Sequence, residues 1–163
     1  MHRRVLRAVG LAAALALLTT GAALAGGQGA DTVTQQARNV QLFSISTVNP
    51  CTGASGTLTA TAATEVFHET VVTPGVQGVF TVTAQGVATF TPDDPQGVSA
   101  SGHFAFWFGE SRNRENDVRH ETDTFQLNGT DGSHAVVHTV EHMSTNANGV
   151  VTVSFDNIHF HCG

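Results

Sequence analysis

The chain has 163 residues, a formal charge of −6, seven arginines and no lysine. That length suits one domain rather than several, and the acidity is repelled by phosphate backbones and anionic lipid surfaces, so nucleic acid and membrane are not expected partners.

The chain opens with the order of properties that export machinery reads. Arg3, Arg4 and Arg7 supply positive charge, positions 9–18 are apolar, and Ala23-Leu24-Ala25 gives a small-residue cleavage pattern. Thr19, Thr20 and Gly21 cut the apolar run short of the roughly 20 residues that a spanning helix needs. Residues 1–25 are therefore expected to be a removed signal peptide, and the mature protein to be secreted and extracellular. The remaining 138 residues hold 18 Val, 20 Thr and 10 Phe but only three Leu, with four arginines against thirteen acids, a charge of −9. β-Branched and aromatic side chains fit a pleated sheet, whereas helices draw on Leu, Lys, Glu and Ala. The balance points to an all-β protein.

Residues 26–46 read as a loose leader or a first strand, with Val40, Leu42 and Ile45 able to begin one, and residues 47–163 as a single β-domain. Asn49-Pro50-Cys51-Thr52-Gly53 is a turn cluster. Cys51 and Cys162 are the only cysteines, and an isolated pair in an exported chain is expected to form a disulfide. Such a bridge places the first and last strand regions side by side.

Alternation then marks strands over 57–72 and 78–91, the second with Phe80, Val82 and Ala84 on one face and a bulge expected at Gly86. After a two-proline loop, 101–109 sets Phe104, Phe106 and Phe108 on one face against His103 and Trp107 on the other. Positions 110–117 form a charged tip. Alternation resumes over 118–127, and Asn128-Gly129 with Asp131-Gly132 forms a hairpin turn. Strands follow over 134–143, 150–155 and 158–162.

Seven or eight strands with short turns imply an antiparallel up-and-down β-barrel, with a β-sandwich as the alternative. Near the end, an unbroken strand would carry Val151, Val153 and Phe155 inward together with His159 and His161. A bulge at Asp156-Asn157 is expected instead, turning Ile158, Phe160 and Cys162 into the core.

The Asn49-Pro50-Cys51-Thr52-Gly53 turn, the Thr83-Ala84-Gln85-Gly86-Val87 stretch and Asn148-Gly149-Val150-Val151 followed by Cys162 carry a resemblance. Over about residues 47–162 the chain resembles an uncharacterised family of secreted actinobacterial β-proteins. The resemblance implies export and a β-fold, and it carries no catalytic residue.

Chemistry is sought among eight histidines of the mature chain. His134, His138 and His142 share a strand face but stand about 13 Å apart in steps of four, too far to bind one metal from a single strand. His159 and His161, two apart, project the same way, so a Zn or Cu site from His138, His142, His159 and His161 requires their strands to be neighbours. Glu65, His68, Glu69, His120, Glu121, Asp123, Glu141 and His142 offer acid–histidine neighbours, but adjacent strand residues diverge, so a dyad needs contacts across strands.

No G-x-S-x-G elbow occurs. The leading expectation is a non-enzymatic module, with Phe104, Phe106, Phe108 and Trp107 contacting a small apolar ligand or the surface engaging an extracellular protein, and with no cofactor. The alternatives are a small barrel enzyme of cyclase, isomerase or hydrolase type and a histidine-rich Zn or Cu binder.

Overall fold

The computed structural model describes residues 29–74 and 76–163; the expected signal peptide lies outside the described residues. Eight antiparallel strands form one sheet, and no helix occurs among the described residues. The strands are β1 (Asp31–Ala37), β2 (Val40–Val48), β3 (Ser55–Thr73), β4 (Gln77–Pro92), β5 (Ala100–Arg112), β6 (Asn116–Gly129), β7 (His134–Asn146) and β8 (Val151–Cys162). From β3 to β8 each strand pairs with the next in sequence, as short turns dictate.

β1 and β2 together line the remaining edge of the 19-residue β3. β1 pairs from Glu65 to Val71 and β2 from Ser55 to Ala62. The break between them falls at Arg38 and Asn39, where Asn39 adopts a φ of 55°, a conformation that asparagine tolerates better than most residues. A segment expected in part as loose leader is thus strand from Asp31, held to β3 by backbone pairing and by hydroxyl contacts of Thr32 with Thr70 and Thr34 with His68.

The expected irregularity at Gly86 lies on the facing strand. Register shifts between Ala62 and Thr64, opposite Gly86 and Gln85. A Cβ at position 86 would collide with the Thr61 carbonyl oxygen and stand 2.7 Å from the Ala63 nitrogen, so glycine lets the bulged strand approach. The shift exchanges the faces of β3: Ala60 and Ala62 share a face with Glu65, Phe67 and Glu69.

The sheet is strongly curled. Phe43 on β2 and Phe125 on β6 stand four strand positions apart in the ladder, about 19 Å on a flat sheet, yet their rings are 6.3 Å apart and edge to face. Inside this curve lies the core: Ala60, Ala62, Ala84, Ala88, Phe90, Ala100, Phe104, Phe125 and Leu127, with Phe104 only 1% exposed. The small alanines leave the space that the phenylalanine rings fill.

The ladder does not close, since no pairing among the described residues joins β8 to β1 or β2. The Cys51–Cys162 disulfide instead ties the β2–β3 turn to the end of β8, with Cα atoms 5.6 Å apart. In that turn Asn49 Oδ1 accepts the Cys51 backbone N–H at 2.9 Å, and Gly53 has a φ of 76°.

β8 corrects the reading of the last strand. It pairs without interruption from Val153 to Cys162, and the register shift comes earlier, at Thr152, skipped between Val151 and Val153 opposite Thr145 and Ser144. Ile158, Phe160 and Cys162 do face the same side as Val137 and Thr139, as the expected bulge was meant to achieve, because Val153 and Phe155 point to the opposite face beside Ser144 and His142. As an edge strand, β8 leaves Phe160 58% exposed.

Candidate functional site

The concave face changes character along the strands. Near the disulfide it is apolar. Further along, the cross-strand row Glu65, Ala84, Phe106, Asp123, Thr139, Ile158 is followed by Phe67, Val82, Phe108, Glu121, Glu141, Asp156. Carboxyl groups therefore stand in an inner lattice otherwise built from Phe, Val, Ala and Ile with the single hydroxyl of Thr139.

Glu121 and Asp123 are the centre of this group. β6 alternates Glu121, Asp123, Phe125 and Leu127 on one face, so a core-facing Phe125 forces both acids inward. Each is 8% exposed. Burial raises the Glu121 carboxyl to about 7, helped by the negative charges of Asp123 and Glu141 and by its hydrogen bond to Asp123. Burial also raises Asp123, to about 6, against the pull of the Thr139 hydroxyl, which donates to its Oδ2 at 3.1 Å. Glu141 faces Glu121 directly across the strand pair. Thr139 holds Asp123 in the better position to ionise, while Glu121 keeps its proton and donates toward Asp123. Near neutrality the pair therefore holds a transferable proton beside the rings of Phe106 and Phe108. Burial raises Glu65 on β3 as well.

Toward the other end of the curve, arginines pair with Glu110 and Asp117. Arg112 contacts Glu110 at 2.9 Å and Asp117 at 3.1 Å, and Arg119 contacts Glu110 at 3.1 Å. Beside this network is a cleft of about 230 Å³ lined in part by Glu69, Phe80, Glu110 and Arg112. The charged segment expected as a tip is mostly strand, with only positions 113–115 between β5 and β6.

The four residues expected to contact a ligand part company. Phe104 is sealed in the core, Phe106 and Phe108 are half-buried beside the carboxyl pair, and Trp107 faces outward at 38% exposure. Trp107 leans over Gly109 toward His120, its ring 5.5 Å away.

The histidines proposed for a metal all lie on the convex face. β7 and β8 are neighbours, so His138 stands directly opposite His159, with His161 two residues along. His142 stands one row apart from that group's Val140 neighbours, opposite His120 and Phe155. Its ring is 5.8 Å from His120 and stacks on Phe155 at 5.3 Å. No three His, Cys, Asp or Glu side chains converge on one metal position among the described residues.

In the sequence these acids stand out only as partners for histidine, and the Glu121–Asp123 pair is not among the expected sites. The signal was present, because both acids share the parity of Phe125 and Leu127. No protein-family model, curated protein or solved structure matches the chain.

Proposed function

We propose that the protein is a secreted small-molecule-binding module whose curled sheet holds a largely apolar ligand on its concave face. Phe106 and Phe108 give that ligand an aromatic wall, and the proton-sharing Glu121–Asp123 pair engages its polar group. The observation that carries this reading is the burial of two raised carboxyls among aromatic side chains, an arrangement that costs stability and concentrates at functional sites. A disulfide fits an oxidising compartment and supports export.

Native mass spectrometry of the protein recovered from its host's medium tests the reading. The expected species is 26–163 less two hydrogens with an organic adduct, and Glu121→Gln with Asp123→Asn strips that adduct. A bare wild-type chain, or an adduct indifferent to both substitutions, overturns it.

A second reading follows from Glu121 alone. A carboxyl raised to about 7 suits a general acid–base, as in an isomerase or cyclase that needs no cofactor. Turnover would then lose its pH-profile limb near 7 in Glu121→Gln while ligand retention survives.

A further inference from the structure

The convex face carries chemistry that the concave site does not use. His138 on β7 and His159 on β8 are directly opposed across an antiparallel pair, which sets their Cβ atoms about 4.5 to 5.5 Å apart with both rings leaving the same side of the sheet. Two ring nitrogens bound about 2 Å from a shared ion are within reach of imidazoles so placed. His138 is also oriented: its Nδ1 lies 2.9 Å from the Thr124 hydroxyl on β6. That contact engages Nδ1, so Nε2 is the nitrogen left for an ion, as in metal-bound histidines whose other ring nitrogen is held by an outer partner.

The opposed pair His120 and His142, across β6 and β7 and four residues along β7 from His138, is occupied differently. Its rings run in a row from Trp107 to Phe155, with centroids 5.5, 5.8 and 5.3 Å apart. His138 has instead Val136 and Val140 as its same-face neighbours on β7, with Asn157 and His161 flanking His159 on β8. No carboxylate stands among these neighbours, and the imidazoles are its strongest donors for a transition ion.

We infer that His138 Nε2 and His159 chelate one borderline divalent transition ion of the Zn²⁺, Ni²⁺ or Cu²⁺ class on the convex face, with water completing its coordination and Thr124 as a positioning residue. Imidazole donors select these ions over Mg²⁺ and Ca²⁺, which prefer oxygen. The inference is independent of the concave ligand site, and its failure leaves that reading standing.

Calorimetric titration of the disulfide-bonded mature protein with Zn²⁺, Ni²⁺ and Cu²⁺ tests it, with Ca²⁺ as the oxygen-seeking comparison. One ion per chain is expected, tightest for Cu²⁺. His138→Ala and His159→Ala each weaken binding about tenfold or more, Thr124→Val weakens it by about tenfold, and His103→Ala and His142→Ala leave it unchanged. In histidine ring NMR, Zn²⁺ shifts His138 Nε2 while Nδ1 keeps its proton. Binding that survives the His138→Ala/His159→Ala double variant, follows His142, or favours Ca²⁺ overturns the assignment.

Discussion

Glu121 and Asp123 hold protons more tightly in the folded chain than in the unfolded one, because burial penalises their charged forms. Their folded values lie above the unfolded ones. The stability linked to them is complete below about pH 4 and is lost as pH rises toward 7. Between pH 5 and 8 the pair should cost on the order of 3 kcal/mol, and urea denaturation at the two pH values should show the wild type weaker at pH 8. Glu121→Gln, neutral at both, should flatten that dependence and raise stability at pH 8; an unchanged slope would count against the shared proton. Phe104, 1% exposed, makes the opposite kind of contribution. Phe104→Ala should lower the urea midpoint by the equivalent of about 3 to 5 kcal/mol, through lost burial and the cavity left among small alanines. At this scale the core phenylalanines were legible from alternation, since Phe104 and Phe125 share a face with their strand neighbours. The acid pair was legible in parity but hidden by a search for histidine partners.

β8 depends on a single neighbouring strand and one covalent bond. The disulfide closes a separation of 111 residues, for which chain entropy gives a stabilisation of about 5 kcal/mol as an upper value. A Cys51→Ser/Cys162→Ser variant should remain an all-β protein with a lower melting temperature, and its β8 amides should exchange with deuterium well before those of β3 to β6. Uniform loss of protection across the sheet would show that β8 is not the weak element. Strand positions were readable from Val, Thr and Phe alternation because neighbouring strands pair through short turns. The orientation of β8 was not, because faces follow from its register with β7, and the residue skipped where that register shifts, Thr152, carries no apolar or turn signal in the sequence. β1 escaped for a related reason: Gln35 and Gln36 carry little apolar pattern, and the strand is fixed by the far half of β3. The His138–His159 pairing is equally non-local, although the two-residue step of His159 and His161 was visible beforehand.

For the whole molecule, composition and turn chemistry were enough to indicate an all-β architecture and its single bridge, whereas closure depends on how far the sheet curls, which no local pattern encodes. The two rims of the sheet are related by six antiparallel steps from the β1/β2 row to β8, so they run in the same direction. Parallel rims cannot be joined by a tight hairpin, and here a sulfur–sulfur bond at one end does the joining. The fold is built like a clasp: joined at the apolar end where Cys51 meets Cys162, with no hydrogen-bonded seam between its rims among the described residues alongside the carboxyl-bearing stretch. Among the described residues no ladder joins those rims, so parting them would leave the strand pairs around Phe104 intact.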